Sequence, residues 1–268
     1  MPVTDDDRPP LDEVRLRRET GPFWRPRIVA ETGSTNTDVA ASCDGEPEGL
    51  VVLAESQTAG RGRLGRAWQS PPRAGLALSV LLRPTVDVAR WGWLPLLAGV
   101  ALAEAVRAVA GLEAGLKWPN DLLLDGRKCA GLLAEVPQPG AVVIGIGLNV
   151  TLAADELPIT PSGLPATSLN LAGARSVDRT ALAAALLSRL RDRYQQWQAA
   201  GGDPETSGIR ETYVRLCATV GREVSVSLPD GSALTGTATT VDPDGRLILA
   251  TPDGTLRPIA AGDILHLR

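Results

Sequence analysis

Short runs with no polar face alternate along this chain with longer stretches of helical period. Residues 49–55 (GLVVLAE), 76–82 (LALSVLL) and 141–150 (AVVIGIGLNV) are of strand length and apolar at successive positions, which predicts strands covered on both faces. Pro95–Val109 is an alanine-rich apolar stretch of helical length that stops at Gly111, and a glycine just past the last periodic residue ends a helix. Thr180–Ala200 follows Asp178, a suitable N-cap, and a further helix is expected over 208–218. Ile28–Ala30 reads as a short strand. Gly33–Asp38 (GSTNTD) opens a helix to about Ser42, with Thr35 and Asp38 at capping-box spacing. Asp125-Gly126 is a tight hairpin turn between Leu122–Leu124 and a return strand Arg127–Val136.

The ends of the chain differ in texture. Residues 1–25 are charged and proline-broken around a small apolar patch, Leu11–Leu16, which predicts an extension or a single helix. From Val220 onward Pro-Asp-Gly recurs at 229–231, 243–245 and 252–254, each between short apolar or β-branched runs. Five strands are expected there, closed into a small β-barrel at 219–268. The fold class is therefore α/β (α+β): a mixed α/β domain at 26–218, preceded by the 1–25 extension and followed by the barrel.

Composition narrows the function. The 268 residues carry a net charge of −4, against general nucleic-acid binding, so any anion site is local. No unbroken apolar run reaches membrane-spanning length, since Pro95, Gly99 and Glu104 interrupt the best candidate, and with Asp5, Asp6 and Asp7 and no apolar h-region in the first 20 residues no signal peptide is expected. Cys43, Cys129 and Cys217 have neither zinc spacing nor pairing, which points to reduced thiols and a cytoplasmic location. The single histidine, His266, reads as a solvated strand-end side chain. Of 27 basic residues only Lys117 and Lys128 are lysines. In a chain that otherwise uses arginine for its positive charge, both are candidate site residues.

The densest chemistry lies in Gly60-Arg61-Gly62-Arg63-Leu64-Gly65-Arg66-Ala67-Trp68. Glycine allows close backbone approach, and arginine's planar fork matches phosphate and carboxylate oxygens. The glycines also fit a dinucleotide fingerprint, with Asp87 downstream, but Pro71 and Pro72 forbid the helix that motif opens. A Walker lysine is lacking. Together with Lys117-Trp118-Pro119-Asn120-Asp121 and Lys128-Cys129-Ala130-Gly131, the loop supplies cations, an amide and a carboxylate. No nucleophile–base pair accompanies them. This set can orient two anions, as in attack of a carboxylate on an α-phosphate.

In order and spacing, GSTNTD (33–38), ESQTAGRGRLGRAW (55–68), KWPNDLLL (117–124), GRKCAGLLAEV (126–136), GIGLNV (145–150) and the terminal AGDILHLR resemble the biotin protein ligases. The resemblance covers about 26–268. It implies an α/β catalytic domain of the biotin/lipoate ligase type with a small C-terminal barrel. It also implies formation of biotinyl-5′-AMP from biotin and ATP, with transfer to a lysine of a biotin carboxyl carrier domain. A lipoate or octanoate ligase is the nearest alternative.

By the resemblance, Ser34, Thr35, Asn36, Gln57, Arg61, Gly62, Arg63, Lys128 and Gly131 would bind biotin. Arg63, Arg66, Trp68, Asn120, Lys128 and Asn149 would bind the nucleotide. Lys128 and Arg63 would be catalytic, and Asp121 would help hold Mg²⁺. From their own chemistry, Ser34, Thr35 and Asn36 could equally be helix caps. Trp118 is either a core anchor or a ligand contact, and Lys117 holds either a phosphate or neighbouring backbone. Some relatives carry an N-terminal winged helix-turn-helix domain and act as repressors. The 1–25 segment cannot build one, so a monofunctional ligase is expected, a monomer or weak homodimer, without nucleic-acid or membrane partners.

Overall fold

The computed structural model describes residues 8–158, 164–228, 232–260 and 262–267. Residues 1–7 of the extension and the expected Pro229–Gly231 turn lie outside these. The larger sheet is built from β1 (Arg25–Val29), β2 (Leu50–Ala54), β3 (Gly75–Leu82), β4 (Gly115–Lys117), β5 (Asp121–Leu124), β6 (Arg127–Gln138) and β7 (Ala141–Asn149). Its order is β1-β2-β3-β7-β6-β5-β4. Only β1 and β2 run parallel; the other pairs are antiparallel. Two details differ from the sequence reading. The first strand begins at Arg25 rather than Ile28, drawn into register by pairing with Leu50. The three residues of β4 form a strand only through β5.

The apolar runs lack a polar face because both faces of the sheet are covered. Val51, Leu53, Leu76, Leu78, Ile144 and Ile146 point into the main core under α3 (Trp93–Ala110) and α4 (Arg179–Ala199). Leu50, Val52, Leu81, Ala141 and Val143 point the other way, against Val39 of α2 (Thr35–Ser42) and its C-cap Cys43. α3 is long and apolar enough to cross a membrane by length and composition, but it is mostly buried against α4 and the sheet. α1 (Glu13–Thr20) is a single helix with Asp12 as its cap, packed on α4. α5 (Ile209–Leu216) leads to the C-terminal module.

α2 covers only half of its face. On that face β7 reads Ala141, Val143, Gly145, Gly147, Asn149. β6 offers Glu135, Leu133 and Gly131 in register, and β3 offers Leu81, Ser79 and Ala77. Side chains shrink from valine and leucine under the helix to bare glycine beyond it. That taper opens a cavity.

The C-terminal module contains β8 (Glu223–Ser227), β9 (Ala233–Val241), β10 (Leu247–Ala250), β11 (Leu256–Ile259) and β12 (Asp263–His266), in the order β11-β10-β9-β8-β12. The expected barrel is not closed: β10 and β8 are the hydrogen-bonded neighbours of β11 and β12. The sheet still curls strongly. A flat five-stranded sheet would hold its edges ~19 Å apart, whereas the three residues between Ile259 and Asp263 span at most ~14 Å. Its inner residues, among them Val224, Val226, Leu247, Leu249 and Ile264, join the core of the larger domain.

Candidate active site

The cavity beyond α2 is lined by all the residues that the resemblance assigned to biotin, nucleotide or metal: Ser34, Thr35, Asn36, Gln57, Arg61, Gly62, Arg63, Arg66, Trp68, Asn120, Asp121, Lys128, Gly131 and Asn149. Lys117, Gly145, Gly147, Asp263 and Ile264 line it too.

At one end, Ser34 is the N-cap of α2, yet its side chain caps nothing. The expected capping box between Thr35 and Asp38 does not form, because Thr35 is already the first helical residue and faces the sheet. Its N–H donates to Gln57 Oε1 at 2.9 Å, and its hydroxyl lies 3.2 Å from the same oxygen. Ser79 Oγ lies 2.7 Å from Thr35 Oγ1 and donates to Asn36 Oδ1 at 2.6 Å. Asn36 Nδ2 donates to Glu135 Oε2 at 2.7 Å, and Arg61 pairs with that carboxylate at 3.2 Å. A buried polar group is costly unless it is bonded, so this chain of partners fixes the helix start against the floor. Ser79 and Glu135 escaped the sequence reading because each sits inside an otherwise ordinary strand.

The middle of the floor is glycine. A Cβ on Gly145 would stand 2.0 Å from Asn36 Oδ1, and one on Gly131 would stand 3.2 Å from Trp68 Cζ3. The Trp68 indole therefore rests on the bare backbone of β6 and β7. Gly145 and Gly147 were legible only as members of GIGLNV; their contacts come from strand register.

Lys128 reaches the cavity through an irregularity. Leu122 pairs with Ala130 but Leu123 pairs with Lys128, so Cys129 is the extra residue of a β-bulge. Positions 128 and 131 would face opposite sides of a regular strand. The bulge turns both inward, and a Cβ on Gly131 would lie 3.5 Å from Lys128 Nζ. That ammonium stands 2.6 Å from Asp121 Oδ1, an ion pair without the angle of a well-directed hydrogen bond, and 5.9 Å from the Trp68 ring centre. Lys117 Nζ lies 3.8 Å from the other Asp121 oxygen. Burial lowers the pKa of Lys117, against the pull of Asp121, and burial also lowers that of Arg63. Arg63 donates to Asn120 Oδ1 at 3.0 Å, and Asn120 Nδ2 donates to Leu132 O at 3.0 Å.

Several of the expected residues have protein partners in this structure. Asp121, expected near Mg²⁺, is held between two lysines, and no group of three or more His, Cys, Asp or Glu gathers among the described residues. It does not fit as a direct metal ligand in this arrangement. Arg66, expected on the nucleotide, pairs with Asp263. His266 is half-buried with Nε2 3.0 Å from Thr219 Oγ1, and Trp118 proves a core anchor, its indole N–H bonded to Gly245 O at 3.1 Å. Cys129 supplies no nucleophile, since burial pushes its thiol up to about 12. Asn149 Nδ2 donates to Thr167 O at 2.9 Å, while its buried Oδ1 has no partner among the described residues.

Comparison with known proteins agrees with this geometry. Residues 30–149 match the biotin/lipoate A/B protein ligase family, and residues 219–267 match the biotin protein ligase C-terminal domain. A biotin–[acetyl-CoA-carboxylase] ligase of Mycobacterium tuberculosis is 45% identical over 278 aligned residues, covering 99% of this chain and 100% of the relative. A solved biotin protein ligase from Aquifex aeolicus in complex with biotin and ATP superposes with a TM-score of 0.77 at 26% identity, covering 92% of this chain and 100% of that one. One from Leishmania major in complex with biotinyl-5-AMP gives 0.62 at 26% identity, covering 88% and 99%. With its fold, its cavity and both halves of its sequence in agreement, this chain belongs to the biotin protein ligases of the biotin/lipoate A/B ligase family.

Proposed function

We propose that this protein is an ATP-dependent biotin ligase that makes biotinyl-5′-AMP and then passes biotin to a lysine of a biotin carboxyl carrier domain. The observation that carries the reading is the convergence of segments 34–36, 57–68, 117–121, 128–131 and 145–149 on one cavity. Ser34, Thr35, Asn36 and Gln57 gather at the start of α2, while Lys117, Lys128 and Arg63 gather around Asp121 and Asn120.

In the first step a biotin carboxylate oxygen bonds to the α-phosphorus, and the bond from that phosphorus to the β-bridging oxygen breaks, releasing pyrophosphate. Lys128 and Arg63 offset the charge that builds on the phosphoryl oxygens, the kind of fixed electrostatic support worth ~10²–10³ in rate per donor. Ser34, Thr35, Asn36 and Gln57 line the end suited to biotin, with Gly131 beneath it and Arg61 and Gly62 above. Trp68, Asn120 and Asn149 serve the nucleotide, and the unpaired Asn149 Oδ1 suits an amine donor on the base. In the second step the neutral acceptor amine attacks the acyl carbon, AMP leaves with the cleaved C–O bond, and the amine proton passes to solvent. Lys128 supports the oxyanion, and Asp121 holds Lys128 in place.

We assign 26–218 to catalysis and 219–268 to an accessory module, in a cytoplasmic monomer or weak homodimer. The three unpaired cysteines suit a reducing compartment. The decisive measurement is pyrophosphate exchange by the purified protein, run with biotin and with lipoate. Exchange with biotin is expected; exchange with lipoate alone would overturn the reading.

A further inference from the structure

The C-terminal module is fastened to the larger domain at several points. Trp93 Nε1 donates to Pro243 O at 2.8 Å, and Trp118 Nε1 donates to Gly245 O. Trp118 N–H donates to Thr219 Oγ1 at 3.1 Å, and that hydroxyl also meets His266 on β12. Gly92 packs so closely that a Cβ there would stand 2.5 Å from Asp244 O. The turn between β9 and β10 and the end of β12 are thus fixed to the larger domain, and Asp263 and Ile264, at the start of the same strand, form part of the cavity wall.

The 60–68 loop has little to hold itself shut. Its internal bonds are few: Gly62 N–H to Arg66 O at 2.7 Å, Arg66 N–H to Arg63 O at 3.2 Å, Trp68 N–H to Gly60 O at 2.8 Å, and a bridge between Arg61 and Ala67. Its tip, Leu64, is 71% exposed and left-handed with φ +56. Its arginines reach outward in two directions. Arg61 and Arg63 tie it to Glu135 and Asn120 on the larger domain. Arg66 pairs with the Asp263 carboxylate, and Arg63 also reaches Gly262 O at 3.4 Å. The loop straddles the cavity with one foot on each domain.

We propose that Asp263 is a positioning residue: by holding Arg66 it fastens the arginine loop to the C-terminal module and keeps the acyl-adenylate enclosed between the two half-reactions. Arg66 and Asp263 are both about one-third exposed, so the pair can open to admit substrates and close again. The module, which carries no reacting group, thereby becomes the fixed jaw of the site. This rests on the biotinyl-adenylate reading above.

The test uses the full chain, with Asp263→Asn and Arg66→Gln approaching the pair from either side and Arg66→Asp/Asp263→Arg as the charge swap. Tryptic cutting after Arg61 and Arg63 reports loop opening without turnover. Labelling of a bystander protein's lysines with biotin and ATP reports escape of the adenylate. Both are expected to rise roughly fivefold in each single variant, the scale of one partly exposed ion pair, and to return towards wild type in the swap. Unchanged cutting and bystander labelling in Asp263→Asn, or a swap as open as the single variants, would overturn the latch. Absence of biotin-dependent pyrophosphate exchange in the wild-type protein would instead overturn the ligase reading beneath it.

Discussion

Trp68 and Gly147 fit together only because residue 147 has no side chain: a Cβ there would stand 2.3 Å from Trp68 Cε2 and 2.5 Å from its Nε1. Gly147→Ala should therefore expel the indole from the floor while leaving β7 paired. Because Trp68 lines the proposed nucleotide end, the KM for ATP is expected to rise at least about tenfold, in line with loss of a base–aromatic stack of ~1–3 kcal/mol. A KM for ATP within twofold of wild type would contradict this.

Gly145 makes a different demand. A methyl group there would meet Asn36 Oδ1 at 2.0 Å and break the Ser79–Asn36–Glu135 chain of hydrogen bonds. Gly145→Ala should lower stability by about 2 kcal/mol, the scale of a buried polar group left unsatisfied. Urea unfolding monitored by far-UV circular dichroism measures it, and a midpoint equal to wild type would refute the role given to that network.

Lys128→Ala should reduce biotin-dependent pyrophosphate exchange by about 10²-fold or more. It removes the one ammonium that the Cys129 bulge brings beside Gly131. The neighbouring Lys117 is expected not to compensate, since it is held behind Asp121. Near wild-type exchange would show that the charge is not required.

Arg63→Gly removes contacts to Asn120 and to Gly262 O together. Adenylate formation should persist at a reduced rate, and the intermediate should leak. Mass spectrometry of a mixture with an unrelated lysine-rich protein is expected to find biotin on that protein. Labelling confined to the carrier lysine would end the lid interpretation.

His266 gives stability a pH dependence of definite sign. Burial, aided by the positive charges of Lys117 and Arg222, pushes its pKa down to about 4, whereas an unfolded histidine titrates near ~6.5. Between those values the unfolded chain binds a proton that the folded chain refuses. This contribution is fully present above ~6.5 and is lost as pH falls towards 4. The Tm of the wild type should drop faster between pH 6.5 and 4.5 than that of His266→Gln, which does not titrate. Parallel curves would exclude the effect.

The chain itself specified much of this. Unbroken apolar runs marked β2, β3 and β7 because a sheet covered on both faces needs no polar alternation. The length and stop signals of α3 and α4 were local, and Asp125-Gly126 demanded its hairpin because both residues sit at positive φ. The cavity residues were readable because glycine, arginine and a scarce lysine are chosen for backbone freedom and charge rather than for packing. Three-dimensional packing settled what local chemistry leaves open. A one-residue bulge decides that Lys128 and Gly131 share a side, and strand register decides that Gly147 lies under Trp68. The pairing of β12 with β8 decides that Asp263 meets Arg66 across 197 positions of sequence. Such contacts depend on which edges and faces meet after folding, and no spacing along the chain encodes them.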